Sequence, residues 1–227
     1  MTAAPELVIF DCDGVLVDSE PLSIDVLVRV LRTAGVTMDA EEAIERFLGK
    51  SLKTMSDILH EDYGLQVDDQ FLEAMRHDLY QRFETELQPV PGISTALDHL
   101  AIPRCVASSS QMERIRLSLT ITGLIGKLEP HLFSAAMVQN GKPAPDLFLH
   151  AAQQMGTPPC ACIVIEDSPA GIQAAKAAGM RVFAFAGASH ARTERHLAAL
   201  RALEPDALFD DMRELVHLVD RERGLRH

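Results

Sequence analysis

Positive charge is what this sequence most conspicuously lacks. Lys and Arg number 21 against 33 Asp and Glu, a formal charge of −12. With no basic excess to release counterions, nucleic acid and anionic membranes are not expected partners, and an anionic substrate would need a local cluster of cations. No apolar run approaches the ~18 residues of a transmembrane helix. The opening "MTAAPE" has no basic region and leads straight into an apolar strand, so a signal peptide is not expected. There is no internal repeat and no low-complexity tract. Cysteine is scarce: Cys12, Cys105 and Cys162 fall in or beside apolar runs, where a free thiol packs as a small hydrophobe. Cys160 and Cys162 are separated by a single residue, which is neither a redox CxxC nor a zinc knuckle. Reduced thiols and a cytoplasmic location are the expectation.

What is present is an ample core-forming fraction, 47% hydrophobic residues in 227, and a chain that changes texture twice. "LVIF" at 7–10 reads as a short buried strand. Residues 19–87 then read as almost pure helix. Ser19 is expected to cap a first helix carrying Leu22, Val26, Leu27, Val30 and Leu31, ended by Gly35. A second helix begins at Asp39, Glu41 and Glu42. A third carries Leu52, Met55 and Leu59, and a fourth Leu72, Met75, Leu79, Phe83 and Leu87. "PVPG" at 89–92 breaks the run. Strands and helices alternate thereafter, with strands at 104–107, 132–134, 162–165 and 182–186 and helices at 94–100, 111–120, 146–155 and 170–178. Such alternation predicts an α/β class with a parallel sheet covered on both faces. The sheet domain, 1–18 and 89–227, is opened after its first strand by a bundle of about four helices, 19–88.

In an open parallel sheet, ligands bind beyond the carboxyl ends of the strands. After the first strand come Asp11 and Asp13. After "RCVA" come Ser108, Ser109 and Ser110. A loop brings Lys142, and after "CIVI" come Glu166, Asp167 and Ser168. Singly these read as N-caps, turns and solvated loop residues. At successive strand ends they form an acidic pocket with one cation and a hydroxyl. Carboxylates from two strands suit a hard cation, Mg2+, which also takes phosphate oxygens. A metal, a lysine and a hydroxyl around a carboxylate make a phosphoryl-transfer constellation, in which the carboxylate attacks phosphorus. Asp13, two residues from Asp11, is placed to protonate a leaving oxygen and later take a proton from water.

"FDCDGVLVDS", "CVASSS", "GKPAPDLF" and "IEDSPAGIQAA" resemble, in order, the four motifs of the haloacid dehalogenase superfamily, and the resemblance covers essentially the whole chain. It implies a Rossmann-like core, a Mg2+-dependent phosphotransferase mechanism and an inserted α-helical cap that closes over the substrate. It also implies Asp11 as nucleophile, Asp13 as acid and base, and Ser108, Ser109 and Lys142 as phosphate ligands. Metal coordination would come from Asp11, the Asp13 carbonyl and Asp167, with Glu166 behind them or acting through water. Dehalogenases of the superfamily lack the second Asp of the first motif. Its phosphonate hydrolases use a cap lysine, which Lys50 or Lys53 would have to supply.

By motif wording the chain is most similar to the β-phosphoglucomutase and sugar-phosphate phosphatase group. Where that mutase has a cap His and a cap Arg, this sequence has Ser23 and Leu52, which favours a phosphatase. The expected substrate is a small phosphorylated metabolite, and the expected state is a monomer or weak homodimer. Cap residues Lys50, Ser51 and Arg76 are candidates for contacting the leaving group. Ser189 is expected to cap a helix beside an exposed His190. A receiver-like regulatory domain also gathers acids, a hydroxyl, a lysine and Mg2+ at strand ends, but needs neither Asp13 nor the helical insert at 19–88.

Overall fold

A computed structural model describes residues 3–47 and 52–225. The chain divides into two compact units, Met1–Asp18 with Gln88–His227, and Ser19–Leu87. Among the described residues no helix is long and apolar enough to cross a membrane.

The smaller unit holds α1 (Glu20–Thr33), α2 (Ala40–Phe47), α3 (Leu52–Tyr63) and α4 (Asp69–Glu86). Helical spacing puts Leu27, Leu31, Phe47, Leu59 and Phe71 into one apolar cluster. Asp68 caps α4, its side chain accepting from the Phe71 N–H at 2.8 Å. Ser19 does not cap α1 as its residue type suggests. Its backbone is already in the right-handed helical region (φ −88°, ψ −20°) and its side chain makes no cap bond. Pro21 opens the helix instead, where its missing N–H costs nothing.

The larger unit runs β1 (Leu7–Phe10), α5 (Ile93–His99), β2 (Arg104–Ser108), α6 (Met112–Ile121), α7 (Ile125–Leu128), β3 (Leu132–Ser134), α8 (Asp146–Gln154), β4 (Cys162–Glu166), α9 (Pro169–Ala177), β5 (Arg181–Phe185), α10 (Glu194–Ala202), β6 (Ala207–Phe209) and α11 (Leu215–Glu222). The six strands form one sheet, ordered β3-β2-β1-β4-β5-β6, and every pairing is parallel. Sequence periodicity alone does not find α7, β6, α10 or α11. In β6 the run "ALF" is too short to show alternation, and only Phe209 is buried.

β1 lies at the centre, with Phe10 level with Val106 of β2 and Ile165 of β4. The strand order reverses there, the crevice where such sheets bind ligands. Both faces of the sheet are apolar, as continuous runs such as "CIVI" require. Phe148 of α8 is fully buried in the cluster that covers one face with Ile9, Val164 and Ile172. Phe148→Ala is therefore expected to lower stability by ~3–5 kcal/mol in urea unfolding. A loss under about 1 kcal/mol would place the ring outside the load of the core.

Candidate active site

The register of the parallel strands delivers the charged residues to one edge. The Asp11 N–H donates to the Ile165 carbonyl at 3.0 Å, which carries the ladder one residue past β1. Asp11 thus leaves the sheet beside the end of β4, where Glu166 and Asp167 follow. One carboxylate oxygen from each of the three residues lies within 4.8 Å of the others, and all three residues are buried. Like charges this close repel, and burial removes the water that would screen them.

Lys142 answers part of that repulsion. Its Nζ donates to Asp11 Oδ1 at 2.5 Å and to Glu166 Oε1 at 2.6 Å, and it stands 4.9 Å from the centroid of the Phe148 ring. With 4% of its side chain exposed, Lys142 is no solvated loop residue. Burial works against its charge, but the Asp11 and Glu166 carboxylates outweigh burial and hold its ammonium above the ordinary lysine range. Asp11 is pushed well above the usual carboxylate range, first by burial; Lys142 opposes this, while Glu166, Asp167 and Asp13 add to it. Three carboxylates against one ammonium leave two negative charges, which matches a divalent cation and hard oxygen donors. Such an ion would favour the ionised form of Asp11. The residues present therefore fit the metal that the sequence implies.

Glu166 is held from behind. Its Oε2 accepts from the N–H groups of Asp167 and Ser168, each at 3.0 Å, and from Ser168 Oγ at 2.9 Å. Ser168 is also the N-cap of α9, accepting from the Gly171 N–H at 3.0 Å. The carboxyl group lies against the Gly171 backbone: a Cβ there would fall 1.9 Å from Glu166 Cδ. Only glycine permits that approach. On α10, His196 sets its Nε2 2.7 Å from the Asp167 carbonyl oxygen; a carbonyl can only accept, so the proton sits on Nε2.

The Asp13 carboxylate is bound on both oxygens. Ser110 Oγ donates to Oδ2 at 2.6 Å and Arg114 Nη2 to Oδ1 at 2.7 Å. Ser108 is buried, and its Oγ accepts from the Ser110 N–H at 3.1 Å; Ser109 is exposed. In the helical unit, Arg76 pairs with Glu73 at 2.5 Å within α4. Lys50 and Ser51 lie outside the described residues. Ser189 does not cap a helix through its side chain. It opens a short 3-10 turn, Ser189–Arg192, and its Oγ and N–H both donate to Asp18. His190 lies in that turn, its side chain outside what is described. The buried cysteines are quiet: burial pushes the Cys162 thiol up to about 12 and also raises Cys12 and Cys105. Sequence placement puts Ser110 at a strand end without a role of its own and assigns none to Arg114, Gly171 or His196. Of these, Ser110 and Gly171 sat inside motifs already read, and Arg114 and His196 carried no signal.

A family model described as Haloacid dehalogenase-like hydrolase matches residues 8–185, and the chain belongs to that family. It is 34% identical over 186 residues, 82% of this chain and 84% of the relative, to 6-phosphogluconate phosphatase of Escherichia coli. Two solved structures share its fold over nearly their whole length. A conserved haloacid dehalogenase-like protein of Agrobacterium tumefaciens matches with a TM-score of 0.85 and 36% identity, covering 96% of this chain and 99% of that one. A family hydrolase of Deinococcus radiodurans, solved with bound phosphate and sodium, matches with a TM-score of 0.80 and 29% identity, covering 98% of each chain.

Two expectations follow from the geometry. Gly171→Ala should displace the Glu166 carboxylate and weaken divalent-cation binding by the ~10–100-fold typical of a lost supporting contact, and it should also lower stability, since the overlap with buried Glu166 outweighs the helix propensity of alanine, about 1 kcal/mol at most. Calorimetric titration with Mg2+ measures the first and urea unfolding the second; unchanged Mg2+ affinity would refute the packing role. For Asp11 the sign is set by its raised value. The folded chain binds a proton that the unfolded chain releases, so metal-free stability falls as pH rises above the ordinary carboxylate value of 3.8. Asp11→Asn should flatten that fall, read as a metal-free melting temperature that changes less between acid and neutral pH than that of wild type, by ~2–4 °C per kcal/mol of lost pH dependence.

Proposed function

We propose that the protein is a Mg2+-dependent phosphatase, cytoplasmic and monomeric or weakly dimeric, that hydrolyses a small sugar phosphate or sugar-acid phosphate through an aspartyl phosphate on Asp11. The observation that carries this reading is the Lys142 bridge between Asp11 and Glu166, with Asp167 alongside. It sets a carboxylate beside a fixed cation at the strand-order reversal, where a phosphoryl group needs both. The activity of the Escherichia coli relative supports the choice of substrate class.

In this reading a carboxylate oxygen of Asp11 attacks phosphorus as the ester P–O bond breaks. Protonated Asp13 passes its proton to the departing oxygen, and the alcohol leaves. Ionised Asp13 then takes a proton from water as the water oxygen bonds to phosphorus, which frees Asp11 and orthophosphate. Lys142, Ser108 and Ser109 hold the phosphoryl oxygens. Asp11, Asp167 and the Asp13 carbonyl would hold the metal, with Glu166 behind them, and the ion would supply charge to offset that of the phosphoryl group. Lys50, Ser51 and Arg76 of the helical unit are the proposed contacts for the rest of the substrate. A phosphosugar mutase is the second reading. Ser23 stands where the mutase has a His, and its Oγ donates back to the Ser19 carbonyl at 3.1 Å, a poor substitute for a trigger.

Phosphate release is to be measured from 6-phosphogluconate, hexose phosphates and p-nitrophenyl phosphate, with Mg2+ and with a chelator. Turnover should require Mg2+ and vanish in Asp11→Asn with the fold intact; activity within about tenfold of wild type would remove Asp11 from the nucleophile role. Asp13→Asn should lose ~10²–10⁴-fold in kcat yet keep its Mg2+ affinity. A chain that retains a stable aspartyl phosphate without turnover would be a receiver-like domain, and one that isomerises hexose phosphates only with a bisphosphate would be a mutase.

A further inference from the structure

We propose that Arg114 is a positioning residue for proton transfer: with Ser110 it fixes the Asp13 carboxyl group in the place from which that group serves the leaving oxygen. The inference deepens the phosphatase reading and rests on it. Neither the four motifs nor the residue types assign Arg114 a role; the geometry does. Arg114 occupies the first turn of α6, 101 residues from Asp13 in sequence, and its Nη2 lies 2.7 Å from Asp13 Oδ1. The pair is mostly buried, with 22% and 15% of the two side chains exposed.

The second anchor is itself braced. The Ser110 N–H donates to Ser108 Oγ at 3.1 Å, and the Ser110 carbonyl accepts from Ser134 Oγ at 2.7 Å. Ser108 and Ser134 are register partners at the ends of β2 and β3. The sheet edge therefore fixes Ser110, and Ser110 Oγ reaches Asp13 Oδ2 at 2.6 Å. The Asp13 backbone is pinned separately. The next residue, Gly14, takes φ 79°, its N–H donates to the Val17 carbonyl, and the Leu16 and Val17 N–H groups donate to the Cys12 carbonyl. With main chain and one oxygen held, the carboxyl group keeps one freedom, rotation about its own bonds. The planar guanidinium of Arg114, which is always charged, removes it. A general acid displaced by an ångström loses much of its effect, so a group that removes this freedom acts on the rate without touching substrate.

The test is a leaving-group comparison in the holoenzyme with Mg2+. The value of kcat/KM covers steps up to formation of the aspartyl phosphate, when the leaving oxygen needs its proton. A sugar alkoxide needs that proton and nitrophenolate does not. For Arg114→Met, kcat/KM on 6-phosphogluconate, or on the hexose phosphate that wild type turns over fastest, should fall at least ~10-fold further than on p-nitrophenyl phosphate, within the ~10²–10⁴-fold that positioned proton transfer supplies. Inhibition by orthophosphate should stay at wild-type level. Arg114→Lys, which keeps the cation and folds more safely, should recover part of the difference, and Ser110→Ala should show the same leaving-group bias. Equal loss on both esters in Arg114→Lys and Arg114→Met, or a gain in activity, overturns the inference and leaves the phosphatase reading intact. A wild-type protein that releases phosphate from no ester overturns both.

Discussion

One buried ammonium shared by two carboxylates governs the site. Lys142 reaches Asp11 across 131 residues of chain and Glu166 across 24. Each of the three ions alone would face a desolvation cost of several kcal/mol, and removing one partner from such a pair typically costs ~3–5 kcal/mol. Lys142 makes the burial of each carboxylate less costly, and each carboxylate does the same for Lys142. Asp167 makes the balance worse rather than better, since the fourth group adds a third negative charge. A chain selected for stability alone would place an apolar residue there. Persistence of the excess charge marks the place where local rules give way to chemistry.

The fold earns that concentration of charge through topology. Parallel strands point all their carboxyl ends one way, so residues that follow β1, β2, β3 and β4 meet at one edge without any contact in sequence. The supporting contacts are then mostly main chain. Glu166 is turned back by the N–H groups of Asp167 and Ser168, and Gly171 offers it a surface with no side chain. Such partners cannot change rotamer, so the geometry of the carboxylates is set by the backbone that starts α9.

This explains what could be read in the sequence and what could not. Asp11 and Glu166 stand directly after apolar runs, and a carboxylate at the mouth of a buried strand is visible without coordinates. Lys142, Ser108 and Asp167 were legible by the same placement and by motif. The wholly helical texture of residues 19–87 announced the second unit. Arg114 was not legible, because an arginine in the first turn of an amphipathic helix looks like any solvated cation until its partner, 101 residues away, is known. His196 was hidden for the same reason: its partner is the Asp167 carbonyl, which carries no sequence signal. Ser19 and Ser189 misled, because serine before a helix suggests a cap by type alone. At Ser19 the backbone is already helical, and at Ser189 the hydroxyl turns to Asp18 instead.

Local and global charge also part company here. The formal charge of −12 would repel an anionic ester at long range. Within the site the relevant sum runs over Asp11, Glu166, Asp167 and Lys142, and it is also negative. Arg114 does not change that sum in the substrate's favour, because it faces Asp13. The chain's own residues thus leave a phosphoryl dianion with one adjacent ammonium, two of whose three donors already serve carboxylates. Attraction for such a group has to come from a divalent cation that first cancels the excess. In the proposed reading the core recognises the phosphoryl group alone, since Asp11, Glu166, Asp167 and Lys142 serve that group and the metal while Arg114 faces Asp13. On that reading, discrimination among metabolites has to be supplied from outside this cluster.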